Sequence, residues 1–185
     1  MFTGILFSGA DRYDAALRAL EGRFGDAVME TPALPWDYSD YYRSEMGGPL
    51  FRRFVFFRNL ISKDELAAIK HISIGIEHEL ERDGKRTVNI DPGYLTPAKL
   101  VLASGKNHSH RIYLKEGIYA EVTLMYIRGE FVPQVNTFKD YRDERFLHYF
   151  YRARIVLALL SEEQKVKGQA AREKTGKGKG GRGSV

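Results

Sequence analysis

Cysteine is absent from all 185 residues, which excludes disulfides, thiolate metal sites and cysteine nucleophiles and leaves a reducing compartment permitted. No stretch approaches the roughly 20 consecutive apolar residues that cross a bilayer. The opening MFTGILFSGADRYD has no basic region and only a short apolar run, so no signal peptide is expected. The expectation is a soluble, cytoplasmic protein with no membrane partner. Also missing is any G-x-x-x-x-G-K-(S/T) sequence ahead of a helix, so phosphate binding of the P-loop type has no support.

A net charge of +5 invites a nucleic-acid reading, but the charge is unevenly placed. The segment from Gln164 onward holds seven Lys or Arg against Glu173 alone, leaving 22 cations and 23 anions over residues 1–163. The folded part is therefore near neutral. The segment 164–185 has few large apolar residues and many glycines, so it reads as a disordered basic tail suited at most to weak contact with polyanions. With 43% hydrophobic residues, the remaining 163 fit a single domain with a substantial core.

Apolar spacing sets the expected elements. A strand over Thr3 to Ser8 leads into a helix capped at Asp11, with Tyr13, Ala16, Leu17, Leu20 and Phe24 on one face. A second strand spans Asp26 to Leu34, interrupted by Pro32, and leads into the aromatic, acidic loop Pro35 to Tyr42. Leu50 to Phe57 is apolar on both faces, as a central strand should be. Ser62 with Glu65 makes a capping box for a helix running to about Glu81, and Lys85 to Ile90 forms a strand stopped by Asp91, Pro92 and Gly93. The order is α+β: a ferredoxin-like βαββαβ core. Residues Thr96 to Ala103 are expected as a short helix, with a fifth strand as the alternative.

A C-terminal antiparallel β-meander and a long helix follow. Ile118 to Tyr126 alternates as a half-buried strand. Lys115, Glu116 and Gly117 suit a three-residue hairpin loop that pairs Leu114 with Ile118 and sets Arg111 opposite Glu121. A turn at Arg128 and Gly129 pairs Tyr126 with Phe131 and Glu121 with Asn136. One face is then apolar (Ile112, Leu114, Val122, Leu124, Val135) and the other polar (Arg111, Tyr119, Glu121, Thr123, Asn136). The last helix runs from Asp143 to about Lys165, burying Phe146, Phe150 and Ala153.

Three constellations carry chemistry. Arg111 and Glu121, flanked by Tyr119, form a charge pair able either to orient a polar ligand or simply to stabilise a wet sheet face. Lys85, Arg86, Asn89, Asp91 and Tyr94 surround the Asp-Pro-Gly strand end, which is either a plain turn or a site for phosphate or carboxylate. Lys99, Lys106 and His110 follow closely enough to converge on the same anion. His108, Ser109 and His110 form an H-x-H whose two histidines share the face opposite Glu121, so no metal-ligand set is completed and no metal is assigned. Glu45 to Pro49, leading into Arg52 and Arg53, is a weaker anion site.

The runs YYRSEMGGPLFRRF, GKRTVNIDPGYLTPAKLVLASGKNHSHRIYLKEGIYAEVTLMY and FKDYRDERF make the chain resemble the uncharacterised prokaryotic domain-of-unknown-function family 4416, over roughly residues 2 to 157. Members of that family are sometimes labelled GTP-binding, a label whose P-loop motif this sequence lacks. The residues themselves lead to a protein that binds, and in one version transforms, a small anionic ligand such as a nucleotide or phosphorylated metabolite. In that reading Lys85, Arg86, Lys99, His110 and Arg111 supply positive charge, Glu121 or Asp91 the general base, and Tyr94 or Tyr119 the orientation. His110 counts among the catalytic candidates, and no cofactor is assigned. Two other readings stand beside it: an RNA-binding module that stacks bases on an aromatic sheet, and a scaffold that contacts proteins through the exposed loop Trp36 to Tyr42.

Overall fold

All six residues of β1 (Phe2–Phe7) are buried, with Ile5 and Phe7 turned to one side of the sheet and Phe2 and Leu6 to the other. Both faces of such a strand need a cover. Tyr13, Ala16 and Leu20 of α1 (Ala10–Phe24) and Ile69 and Ile76 of α3 (Leu66–Glu79) supply one layer. They pack on Ile5 and Phe7, on Val55 and Phe57 of β4 (Phe51–Phe57) and on Val88 and Ile90 of β5 (Val88–Leu95). The opposite layer is α4 (Glu144–Gly176), whose Phe146, Phe150 and Ala153 meet Phe2, Phe54 and Phe56. Burying each of these phenylalanines contributes about 1.5–3 kcal/mol. The structure is a computed structural model that describes the backbone of residues 1–176 and the side chains of residues 1–169.

Among the described residues, nine strands form one sheet in which every pairing is antiparallel. The order is β2 (Ala27–Glu30), β4, β1, β5, β6 (Lys99–Ser104), β8 (Ile118–Ile127), β7 (Ile112–Lys115). The short β3 (Leu34–Pro35) also pairs with β4, and β9 (Glu130–Pro133) with β8. A four-residue helix, α2 (Arg43–Met46), lies between β3 and β4. The capping box forms as its residues dictate, the Ser62 N–H donating to Glu65 Oε2 at 2.6 Å ahead of α3. The class is α+β, with a long C-terminal helix.

Four local expectations are corrected. Thr96 to Ala103 holds no helix: Leu100, Val101, Leu102 and Ala103 are buried on β6, and a continuous apolar run covered on both faces has no periodicity to separate strand from helix. β5 is not stopped by Asp-Pro-Gly but runs through it to Leu95. The β7–β8 turn has two residues, Glu116 and Gly117, both with positive φ. Lys115 rather than Leu114 therefore pairs with Ile118, and an irregularity restores Ile112 opposite Ala120. α4 passes Lys165 and continues to Gly176, into the segment expected to be disordered. Lys, Gln, Ala, Arg and Glu there are strong helix formers, and Lys165 pairs with Glu162 at 2.6 Å. Residues 177–185 of the expected tail lie outside the described residues. Among the described residues no helix is long and apolar enough to cross a membrane.

Candidate functional site

Gly93 marks a fork in the sheet. β5 is paired with β1 from Val88 to Gly93, but with β6 only at Gly93, Tyr94 and Leu95, opposite Leu102, Val101 and Leu100. A Cβ on Gly93 would lie 2.3 Å from the Val101 carbonyl oxygen, so this close approach requires glycine. Pro92, which has no N–H to give a neighbouring strand, is the first residue beyond the paired stretch. From there β5 and β6 part around a cavity of about 500 Å³. Trp36, Tyr41 and Tyr42 from the loop after β3, with Phe138 and Tyr141 ahead of α4, add aromatic walls.

The floor is a ladder of paired charges. Arg52, on the α4 side of β4, places Nη1 3.3 Å from Asp91 Oδ2 and Nε 2.9 Å from Asp140 Oδ2. The Arg52 and Asp140 atoms are close without hydrogen-bond alignment, so both remain buried without a hydrogen-bond partner, as does the Tyr141 hydroxyl. Lys70 reaches through the fork from α3, donating to the Ile90 carbonyl at 2.7 Å and to Asp91 Oδ1 at 3.4 Å, while Asn89 donates to Asp91 Oδ2 at 2.7 Å. Burial alone would push the Asp91 carboxyl up, yet Lys70 and Arg52 outweigh it and hold Asp91 below its usual range. For Asp140 burial wins against Arg52, which it shares with Asp91, and its carboxyl is pushed up. Burial also raises Glu77, despite Lys70 and an Ile90 N–H donated at 2.6 Å.

Two further clusters line the walls. Arg86 donates to both carboxylate oxygens of Glu45, at 2.8 and 2.6 Å, and to Asn89 at 3.3 Å. Glu45 is held below its usual range chiefly by that hydrogen-bonded pairing. Across the cavity Arg111 donates to Glu121 Oε2 at 2.7 Å, to Ser104 Oγ at 2.7 Å and to the Lys106 carbonyl at 2.9 Å, pinning the loop between β6 and β7. His110 Nε2 lies 3.0 Å from the same Glu121 oxygen.

Of the residues singled out in the sequence, Arg86, Asn89, Asp91, Arg111 and Glu121 converge on the fork cavity. Tyr94, Lys99 and His110 instead line a second groove of about 510 Å³, which Glu121 also borders. Lys85 sits in an exposed turn paired with Arg82, and Tyr119 packs edge-on against Tyr113, so neither lines either of these two cavities. The expected wet face is in fact the buried one: Glu121 and Thr123 are inside, whereas Ile112 is 73% and Val135 93% exposed. A bulge opposite Leu100 and Val101 sets Leu124 on the same side as Glu121, and the chain from Thr137 into α4 covers that side. β9 ends at Pro133, so the Glu121 to Asn136 pairing does not form. Of the expected exposed loop Trp36 to Tyr42, Trp36 is buried against Leu6, Met46 and Leu50, whereas Asp37, Ser39, Asp40 and Tyr41 are exposed.

Lys70, Glu77, Asp140 and Tyr141 were not read as site residues. Lys70 and Glu77 left a signal, two charges seven apart on the otherwise buried stripe of α3. Asp140 and Tyr141 left none, because nothing local distinguishes FKDYRDERF from a polar helix entry. Among the described residues, no group of three or more His, Asp or Glu is placed to hold a metal ion.

The model of the family described as Domain of unknown function (DUF4416) matches residues 1–156, nearly the whole described body. No curated protein and no solved structure matches the chain.

Proposed function

The chain belongs to the DUF4416 family, and from its geometry we propose that it binds a small phosphorylated ligand of the nucleotide class in the fork cavity. One observation carries the reading: residues from β4, α3, β5, β6, β8 and the aromatic loop converge on a single cavity of about 500 Å³. That size lies within the roughly 300–1,000 Å³ range of small-molecule sites. Aromatic walls suit a planar ring, and the rigid strands give fixed donors. If the ligand is also transformed, Asp91 is the carboxylate suited to take a proton. Both carboxylates are bound by neighbouring donors, and Lys70 and Arg52 make Asp91 a weak base, but its side chain is 27% exposed against 3% for Glu121, so Asp91 is the one a ligand can reach.

We include in this proposal a ferredoxin-like core made of β1, α1, β2, β4, α3 and β5. What supports it is the strand order β2-β4-β1-β5, all antiparallel, with both helices on one face. The fork would then be where that core joins the meander. The cytoplasmic location expected from the sequence belongs to the same proposal, as does weak polyanion contact through the basic C-terminal segment, to be tested by deleting residues 164–185. The RNA-stacking reading needs an open sheet face, and α1, α3 and α4 occupy both. The scaffold reading loses Trp36 as a contact residue and keeps the exposed Tyr41.

A thermal-shift screen of nucleotides and phosphorylated metabolites tests the site. A ligand at a hundred times its Kd should stabilise by about 2.7 kcal/mol, or roughly 5–10 °C for a chain of this length. Gly105 lines the mouth, and a Cβ there meets nothing within 4 Å, so Gly105→Phe should fold normally and abolish the shift. An undiminished shift in Gly105→Phe, or no shift with any phosphorylated compound, rejects the fork cavity as the site.

A further inference from the structure

Helices lie on both faces of the sheet without covering all of either. On the α3 side the packed cluster ends with Val101, Ala103 and Ile118, and Tyr94 and Ala120 lie at its margin. Beyond it the side chains continue. Val101 is opposite Val122 and Ile112 opposite Ala120, and Ala120 and Val122 are two apart on β8, so the four form one row across β6, β8 and β7. This is the apolar side of the alternating strand, and it faces water: Ile112 is 73% exposed, Leu114 38% and Val122 36%, with Val135 of the following loop at 93%.

Exposed aliphatic side chains scattered singly need no explanation, but these four line one groove of about 510 Å³, the size of a small-molecule site. Its charge is one-sided. Glu121, at the inner edge, is neutralised by Arg111 at 2.7 Å and held by His110 at 3.0 Å. Lys99 is exposed on the same groove and has no carboxylate partner among the described residues. Lys99, opposite Met125, marks one end of the row, and Ile112, opposite Ala120, marks the other. An occupant matched to this lining is apolar along its length and negative at one end. The row crosses three strands spaced about 4.8 Å apart, so it is long and narrow, and it suits a flexible chain better than a stacked ring.

We propose that this groove binds a single-chain fatty acid anion, its alkyl chain along Val101, Val122, Ala120 and Ile112 and its carboxylate on Lys99 Nζ. Leu114 and Val135 line the same groove and lose their exposure when the chain is in place. The site is separate from the fork cavity, although Glu121 borders both, and it does not depend on what fills that cavity. Burial of the chain against exposed aliphatic groups supplies the affinity, and Lys99 selects the head group.

Calorimetric titration of the full chain with decanoate, decanol and decyltrimethylammonium, each below its micelle concentration, tests the site. Decanoate should bind at one per chain and at least tenfold more tightly than either of the others. Ile112→Asp, at an exposed position, should weaken decanoate tenfold or more, and Lys99→Gln should reduce it to the affinity of decanol. Gly105→Phe, at the mouth of the fork cavity, should leave decanoate binding unchanged. Absence of decanoate binding, or equal binding of the three head groups, overturns the proposal. So does loss of binding in Gly105→Phe, which moves the ligand to the fork. Two other occupants of the face overturn it as well. One is a membrane, seen as sedimentation with phosphatidylglycerol vesicles that Ile112→Asp abolishes while decanoate does not bind. The other is a second copy, seen as a concentration-dependent dimer in ultracentrifugation that Ile112→Asp dissociates and decanoate does not.

Discussion

Arg111 Nε lies 2.7 Å from Glu121 Oε2, with the two side chains only 4% and 3% exposed. Truncating one member of a buried pair leaves the other charged and uncompensated, at a cost of about 3–5 kcal/mol. Arg111→Ala should therefore lower the unfolding free energy by that amount in urea titrations, and the Arg111→Met, Glu121→Leu double variant should lose markedly less than the single one. A single variant losing under about 1 kcal/mol would show that the pair is solvated in solution.

Gly4 predicts a steric effect at the centre of the sheet. An alanine methyl there would approach Phe54 Cε1 to 2.9 Å, and the buried Phe54 ring is packed between Tyr141, Phe146 and Phe150. Gly4→Ala should cost about 1–3 kcal/mol as an overpacked core position, read from the thermal midpoint. It should also weaken any ligand reaching the floor of the fork, measured by calorimetry on the folded variant.

Asp143 predicts a pH dependence with a definite sign. Arg145, hydrogen-bonded to its carboxylate, together with the Tyr38 hydroxyl at 2.8 Å, holds Asp143 at about 2 against burial. Tyr38 is correspondingly pushed up to about 12, first by burial and then by Asp143. The folded-state pKa of the carboxyl is depressed, so its contribution is present above the ordinary aspartate value and is lost as the pH falls towards 2. Because Arg145 is more than half exposed, screening limits the contribution to about 1 kcal/mol. Asp143→Asn should be less stable than the parent at pH 7 and indistinguishable from it near pH 2 in denaturant titrations.

Trp36 is the only tryptophan and lines the fork cavity with its ring edge-on to Tyr38 and Tyr42. Ligand filling the cavity should change its emission, with a midpoint equal to the calorimetric Kd. Gly105→Phe should remove the change. A signal that follows protein concentration instead would return the loop to the role of a protein contact.

The sequence made β1, β4 and the three long helices legible because their apolar spacing is strong, and Ser62 with Glu65 announced the start of α3. The Arg111 and Glu121 pair forms as expected, but through an irregularity in β7 that offsets the shorter turn and not through the three-residue loop that led to it. The sign of the face carrying them was not legible. A bulge at Thr123 of β8 sets Leu124 on the same side as Glu121, and nothing in an alternating run shows where one of its residues is left without a partner on the neighbouring strand. β6 and the passage of β5 through Asp-Pro-Gly were missed for a related reason: a proline and glycine in a strand read as a stop unless the neighbouring strand's departure is known. The floor was invisible because Arg52, Asp91 and Asp140 come from segments up to 88 residues apart in sequence and meet only through the sheet.

The parting of β5 from β6 has a mechanical side. Asn89 and Asp91 stand on a block built of β2, β4, β1 and β5, whereas Ser104 and Glu121 stand on one built of β6, β8 and β7, and backbone pairing between the blocks is confined to Gly93, Tyr94 and Leu95. The cavity is thus a gap in the backbone ladder that side chains span: Phe2, Phe54 and Phe56 of one block share a core with Leu100, Leu102 and Leu124 of the other under Phe146 and Phe150 of α4. What sets the width of the gap is therefore the filling of that shared core and not the hydrogen bonds of the sheet.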